Sequence, residues 1–594
     1  MQLYHNSRSL QCRSHIGAQV CSSKITIRFF ASLSNLSVTL RTWQGKEHFY
    51  PMPHIGNGCY EVEIKLPDKP ALFWYDFTIA DSKGNISYYG NAHDGLGGEG
   101  TVYSHKPPSF QITVYDDNYM PPAFLREGTM YQIFPDRFHR THMPKSNRKD
   151  VILHKNWGDT PLVIPDSRSG DNTAFDFFGG NLKGIEEKLP YLKDLGISII
   201  YLNPIFKARS NHRYDTGDYM QIDPILGTEE DFSSLCDSAE KLGMRVIIDG
   251  VFSHTGEDSV YFNRYGNYDS VGAYESKDSY YYSWYAFRKF PDEYACWWNI
   301  PTLPEVNKHD ATFQNFIMSE KGVARHWINK GAAGWRLDVA DELPMDFLRK
   351  LRKSVKQEDE NSILLGEVWE DASHKVAYGQ MRCYCLGDTL DSVMNYPLRD
   401  ALINFLIGSW DAIRTVRLIQ SLQENYPTPF FYSTMNLLGS HDRARILNVL
   451  CEHEYNSIAH ADRGKMRLHP KTRELAVSRF KKMLELITAL PGVPCIYYGD
   501  EAGLQGAADP FCRGTFPWNN IDSDLHSTVK HYMSMRLSRP VLQTGFLSIS
   551  ASDDDTICIN RYLVDGKDAF GNKIDDKPFY ISVSRDRAQK SALL

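Results

Sequence analysis

The chain has 594 residues, 42% of them hydrophobic and 23% charged, with a net charge of −7. That length and balance describe a globular protein of three or four domains, and exclude a fibrous or disordered chain. No basic face points to a nucleic-acid partner, and no apolar run is long enough to span a membrane.

Two smaller signals concern surroundings. Aromatics reach 13%, with 34 Tyr and 11 Trp, which serves core packing and suits stacking on sugar rings. The eleven cysteines are odd in number and lack paired CxxC spacing, so free thiols in a reducing compartment are expected. The first residues, MQLYHNSRSLQCRSHIG, lack a charged start followed by an apolar stretch, so a cytoplasmic protein is expected.

Residues 1–122 read as all-β. Lys24–Phe30, Cys59–Ile64 and Ala71–Ile79 alternate at period two or are β-branched and aromatic, with Gly, Asn and Asp clusters between them. A β-sandwich is expected, ending at Pro121-Pro122. Trp43, Trp74, Tyr75 and Tyr88-Tyr89 are candidates for a sugar platform, although core packing accounts for most such residues.

Residues 123–533 alternate strand with helix. Expected strands lie at Met130–Pro135, Ile197–Asn203, Arg245–Asp249, the runs entering Asp338 and Glu367, Asp391–Asn395, the run leading to Asp442, and Val493–Gly499. Eight such units predict a (β/α)8 barrel. The connection after the third strand is long and rich in Tyr and Trp, so residues 255–311 are expected to form an excursion over the barrel mouth. Residues 534–594 return to short β runs and predict a small β domain, which breaks off soon after a strand.

Four segments place ionisable residues at the ends of strand-like runs. They are Asp249-Gly-Val-Phe-Ser-His254, Gly334-Trp-Arg-Leu-Asp338, Gly366-Glu367-Val-Trp369 and Gly439-Ser-His-Asp442. Active sites of β/α barrels are built at these C-terminal strand ends. A lone carboxylate is usually a cap or a surface ion pair; four ordered motifs at strand ends are poorly explained that way.

In this order the segments resemble the signature regions of the α-amylase family of glycoside hydrolases. The flanking β domain, Asn211-His212, Tyr214-Asp215-Thr216 and Tyr498–Gly503 resemble neopullulanases, cyclomaltodextrinases and maltogenic amylases in particular. The resemblance implies retaining hydrolysis of α-1,4-glucans such as maltodextrins, cyclodextrins, pullulan or starch, with transglycosylation when a sugar hydroxyl replaces water. It implies Asp338 as nucleophile, Glu367 as acid/base and Asp442 as the third carboxylate. Tyr214 falls where the family has an aromatic platform, His254 and His441 where it binds sugar hydroxyls, and Trp369 where it has an acceptor-side aromatic. Asp509 and Arg513 match a sugar clamp on the non-reducing side. Asp249 and Asn203, at strand ends, read as supports.

The residues support these roles. Arg336 stands two positions before Asp338, so both point to one side of the strand, and a fixed cation favours an ionised nucleophile. Glu367 must keep its proton until it donates it.

No cofactor is required by this chemistry. Calcium-binding relatives use a carboxylate-rich loop after the first strand; here Arg137–Asn147 is poor in carboxylates, and only Asp150, Asp159 or Asp171 could rebuild such a site. No metal ligand is assigned. The segment Thr302–Asn307 departs from the form common in neopullulanases, leaving bond preference open. Alternatives are α-1,6 cleavage, glucan transfer and a non-catalytic glucan-binding protein. Relatives with this N-terminal domain form dimers, so a homodimer is one assembly open to the chain.

Overall fold

The computed structural model describes residues 3–32, 35–167, 170, 172–451 and 460–586. Its centre is an eight-stranded parallel sheet: β1 (Met130–Ile133), β2 (Ile199–Leu202), β3 (Arg245–Gly250), β4 (Gly334–Leu337), β5 (Ile363–Gly366), β6 (Ser392–Val393), β7 (Met435–Leu437) and β8 (Val493–Tyr497). Each strand pairs in register with its sequence neighbour and β8 pairs with β1. A parallel bridge between Met394 and Met435 closes β6 on β7, so the (β/α)8 barrel expected from the sequence is present. Alternate apolar residues fill its interior, among them Met130, Ile199, Ile247, Ile363, Met435 and Val493. A larger apolar layer lies between the strands and the surrounding helices.

One unit departs from the expected alternation. Residues 367–391, between β5 and β6, contain no helix; they carry a hairpin of Lys375–Ala377 and Gln380–Arg382. The N-terminal β domain lies against this segment. Gln111 Nε2 donates to Ser373 Oγ at 3.0 Å, Trp74 meets the His374 ring edge-on at 5.8 Å, and Tyr119 Oη donates to the Leu390 carbonyl at 3.1 Å. Its two sheets enclose a separate core around Ile27, Leu40, Phe77 and Ile112. Tyr75 and Tyr89 are buried there, Trp74 faces the barrel, and Trp43 is partly exposed.

After β3, residues 255–310 form short turns and a two-stranded ribbon before helix Ala311–Met318, whose first N–H groups are capped by Asp310. At the other end, helix Ser523–Ser538 runs through the expected boundary at 533. It packs on helix Pro470–Ala489 and therefore belongs to the barrel, so the β run begins only at Phe546. Three antiparallel strands follow (Phe546–Asp553, Thr556–Tyr562, Phe579–Ser584). All eleven cysteines are free; Cys383 and Cys385 approach to 3.9 Å between sulfurs.

Candidate active site

The site begins with strand register. Asp249 on β3 stands level with Arg336 on β4, so their side chains emerge side by side on the barrel's inner face. Arg336 Nη1 lies 2.8 Å from Asp249 Oδ1 and 2.9 Å from Asp338 Oδ1, while Nη2 lies 2.7 Å from Glu367 Oε2. One buried guanidinium thus gathers three carboxylates from the ends of three consecutive strands. Val339, just past Asp338, has φ of 35°, a backbone region that branched residues avoid. That turn aims its N–H at Glu367 Oε2, 2.9 Å away.

A second layer forms around His441. Its Nδ1 lies 2.9 Å from Gln132 Nε2 and its Nε2 lies 2.7 Å from Tyr214 Oη. The Tyr214 and His441 rings stack at 5.3 Å and 7°, leaving Tyr214 half-buried in the cleft wall. Tyr214 Oη also donates to Asp249 Oδ2 at 2.9 Å and accepts from Asn203 Nδ2 at 3.0 Å. Asp442 Oδ1 is 3.1 Å from His441 Nε2 and 3.7 Å from Arg513 Nη2, and Arg513 Nη1 pairs with Asp509 at 2.8 Å. His254 Nδ1 meets Ser253 Oγ at 3.0 Å; its Nε2 has no partner of hydrogen-bond geometry among the described residues.

The six residues that the resemblance gives as sugar-binding, the supporting Asp249 and Arg336, and the three carboxylates it assigns to catalysis all lie at the barrel mouth. Asp249 and Arg336 form its floor, and the others line one cavity of about 900 Å³. That is within the roughly 300–1,000 Å³ typical of ligand sites.

The electrostatics differ from the simple expectation. Burial raises Asp338 well above the usual carboxylate range. Arg336 opposes that shift, while the charges of Glu367, Asp249 and Asp442 reinforce it. Asp442 keeps 31% of its side chain open to the cleft, yet desolvation below the rim and the nearby Glu367 push it up to about 7. Four carboxylates facing Arg336 and Arg513 leave an excess of negative charge, so the cluster retains protons that belong to it jointly. Burial keeps both histidines neutral: His254 falls to about 3 and His441 well below its ordinary value.

Trp369 lines the cleft with its ring packed between other side chains. Tyr396 stacks on it at 3.9 Å and 6°, and the Arg443 guanidinium lies over the ring at 4.4 Å, so the indole presents its edge to the cleft. Its Nε1 donates to Glu367 Oε1 at 3.2 Å, which makes it a positioning residue for that carboxyl. Exposed aromatic surface on this side comes instead from Trp298 and Tyr378, which the sequence reading did not single out. Trp298 belongs to the Tyr- and Trp-rich excursion, a regional signal only. His212, part of the Asn211-His212 motif, lines the cavity as well, and so do Asp341, Glu342 and Lys375, which carry no motif.

Of the carboxylates considered for calcium, Asp150 and Asp159 are already paired, as are the neighbouring Asp136 and Asp176. Arg137 lies 2.7 Å from Asp136 and 3.8 Å from Asp176, Asp150 pairs with Arg148 and Arg209, and Asp159 meets His154 at 3.2 Å. Asp171 lies outside the described residues. No cluster of His, Cys, Asp and Glu suited to a metal occurs among the described residues.

Comparison with known proteins fits this geometry. The alpha amylase catalytic domain family matches residues 132–536. An amylopullulanase from Thermoanaerobacterium saccharolyticum is 37% identical over 99% of this chain and 48% of its own length. A cyclomaltodextrinase from Geobacillus thermopakistaniensis is 32% identical over 77% of this chain and 72% of its own. The structure of the cyclic α-maltosyl-(1→6)-maltose hydrolase from Arthrobacter globiformis superposes with a TM-score of 0.63, at 31% identity, over 75% of this chain and 90% of that one. The chain spans between a third and a half of the amylopullulanases it matches. Matched across its barrel and carrying the family's four motifs at the barrel mouth, the chain belongs to the α-amylase family of glycoside hydrolases.

Proposed function

We propose that the chain is a retaining α-glucan hydrolase that cleaves α-1,4 bonds in maltodextrins, cyclodextrins, pullulan or starch. The observation that carries this reading is the sharing of one buried guanidinium by Asp338 and Glu367 at the floor of a sugar-sized cleft. Asp338 attacks the anomeric carbon while Glu367 protonates the departing glycosidic oxygen. Glu367, now a carboxylate, then draws a proton from water, whose oxygen displaces Asp338. Asp442, with His441 and Arg513 behind it, holds the hydroxyls of the sugar being cleaved and stabilises positive charge at its ring. Tyr214 supports that ring with its open face, and neutral His254 and His441 hydrogen-bond without adding a competing cation. Asp509 and Arg513 take the next sugar on the non-reducing side.

The amylopullulanase relatives favour a second reading, in which the same carboxylates also open α-1,6 bonds. Eleven free thiols support a reducing, cytoplasmic location, and no described helix is long and apolar enough to cross a membrane. A homodimer remains the assembly to test by light scattering.

The test is product analysis on maltoheptaose, β-cyclodextrin and pullulan, with Asp338→Asn and Glu367→Gln beside the unaltered protein. Panose from pullulan, lost in both variants, is the expected result. Maltotriose would move the reading to α-1,6 cleavage, and no product from folded protein would refute hydrolysis of these glucans.

A further inference from the structure

A file of aromatic rings leads from the catalytic floor to the cleft rim. His254 lies 5.1 Å from Trp297, which stacks on Trp298 at 4.6 Å and 6°. Trp298 Nε1 donates to Glu342 Oε1 at 3.2 Å, and Tyr378 Oη donates to the same oxygen from the opposite wall. Glu342 is therefore a clasp between the excursion after β3 and the hairpin after β5. Trp298 and Tyr378 are 67% and 65% exposed, unusual for large rings, and both have left-handed backbones, at φ of 47° and 51°. The base of the hairpin is held by the N-terminal β domain through Ser373 and His374.

The bridge stands on the Glu367 side of the site. The chain runs directly from Glu367 through Trp369 and Glu370 to the hairpin, and Lys375 of the hairpin ties Glu370 to Asp341, three residues past Asp338. Arg513, paired with Asp509, approaches Asp442 instead. A second cavity of about 630 Å³ lies next to the bridge. It is lined by Asn307, His309, Met345, Gln380 and others, and shares Asp341, Glu342 and Tyr378 with the catalytic cleft. Its walls are mostly apolar but carry Asn307, Arg349 and Gln380, a mixture that suits a sugar's apolar ring face and its hydroxyl rim, and its size is that of a small-molecule site of roughly 300–1,000 Å³.

We infer that the Trp298–Glu342–Tyr378 bridge is the specificity-determining wall of the leaving-group side, limiting how many glucose units of a glucan chain lie beyond the cleaved bond, and that the adjoining cavity receives further units when the bridge is opened. This rests on the proposed glucan hydrolysis. With the bridge shut, long chains must bend over the rim, where only exposed aromatic surface meets them. Breaking the clasp joins the two cavities.

The experiment compares kcat/KM on amylose and on maltotriose, and the lengths of fragments released from reducing-end-labelled maltoheptaose. The variants are Tyr378→Phe, which removes only the hydroxyl, Tyr378→Ala and Glu342→Gln, each checked for an unchanged melting temperature. The expected result is an amylose-to-maltotriose ratio raised roughly tenfold in Tyr378→Ala, equal to 1.4 kcal/mol. A smaller rise in Tyr378→Phe and longer labelled fragments should accompany it. An unchanged ratio and fragment pattern in active, folded variants would overturn this inference alone. Unaltered protein that releases nothing from any of these glucans would overturn the hydrolase reading, and this inference with it.

Discussion

Replacing Arg336 by Gln tests the electrostatic logic of the site most directly. The guanidinium is fully buried and touches Asp249, Asp338 and Glu367 within 2.7–2.9 Å. Two unit charges about 4 Å apart attract by about 4 kcal/mol at an effective dielectric constant near 20. At 1.36 kcal/mol per unit, losing that attraction would raise the titration of Asp338 by about three pH units. Water entering the vacated space should reduce this to about two units, since relaxation softens buried charge. Asp338 already stands above the usual carboxylate range, and removing the opposing cation moves it in the same direction. The variant therefore takes up a proton that the unaltered protein releases. The assay is the pH profile of kcat/KM on a chromogenic maltoside, whose acid limb reports ionisation in the free enzyme. The acid limb should move upward by about two units, which costs roughly a hundredfold in rate at pH values below the new limb. A circular-dichroism melt separates this from unfolding. An acid limb that stays in place, with uniform loss at every pH, would refute the argument and leave Arg336 a merely structural role.

Four other perturbations follow from particular contacts. Asp442→Asn removes a negative charge that raises Asp338, so the acid limb should shift downward, opposite to the Arg336 variant, while kcat falls roughly 10²–10³-fold; a limb moving upward would contradict this. Buried Glu501, whose carboxyl accepts from Tyr131 and Tyr191 at 2.6 and 2.9 Å, is raised from 4.5 to about 7 by desolvation. Its stabilising contribution is complete below pH 4.5 and lost as pH rises through 7, about 3 kcal/mol in all. Glu501→Gln should therefore gain on the unaltered protein between pH 5 and 8, and a constant melting difference over that range would count against it. Because protein cations already occupy the carboxylates near Arg137, dialysis against EDTA should leave both activity and melting temperature unchanged; a loss restored by calcium would show a site after all. Val339→Gly should remove about 1–3 kcal/mol of left-handed strain while loosening the N–H held on Glu367, giving equal or higher stability with lower kcat; a clear drop in melting temperature would mean that the valine side chain matters more than its backbone.

The barrel was legible because its strands are local. Met130–Ile133, Ile199–Leu202 and Val493–Tyr497 are short runs buried on both faces, and each reads as a strand without knowledge of its neighbours. Strand order then follows, since parallel neighbours are joined by single crossovers. The missing helix between β5 and β6 could not be read this way. Whether residues 367–391 coil into a helix depends on what covers them, and the covering surface is the strand Phe110–Tyr115 and its continuation, some 260 residues away in sequence. The boundary expected at 533 failed for a related reason. Helix Ser523–Ser538 buries Leu525, Val529 and Met533 on the barrel, and that partner is invisible in a local composition shift.

The same division separates the carboxylates proposed for catalysis from the residues that shape the cleft. Asp249, Arg336, Asp338 and Glu367 sit on or beside strands whose register fixes them, so their spacing in sequence already states their arrangement in space. Trp369 shares that origin, yet its use depends on which faces remain open. Tyr396 and Arg443 come from the segments following other strands, and they pack against the ring and leave an edge that steadies Glu367. Trp298, Glu342 and Tyr378 come from three separate loops and meet through one carboxylate oxygen. None of them carries a motif, because their function lies in the contact and not in the residue type. The chemistry of this site is therefore set by the scaffold, while its choice of substrate is set where loops from different strands touch. Specificity can change through a single clasp such as Glu342 without disturbing the guanidinium that organises catalysis.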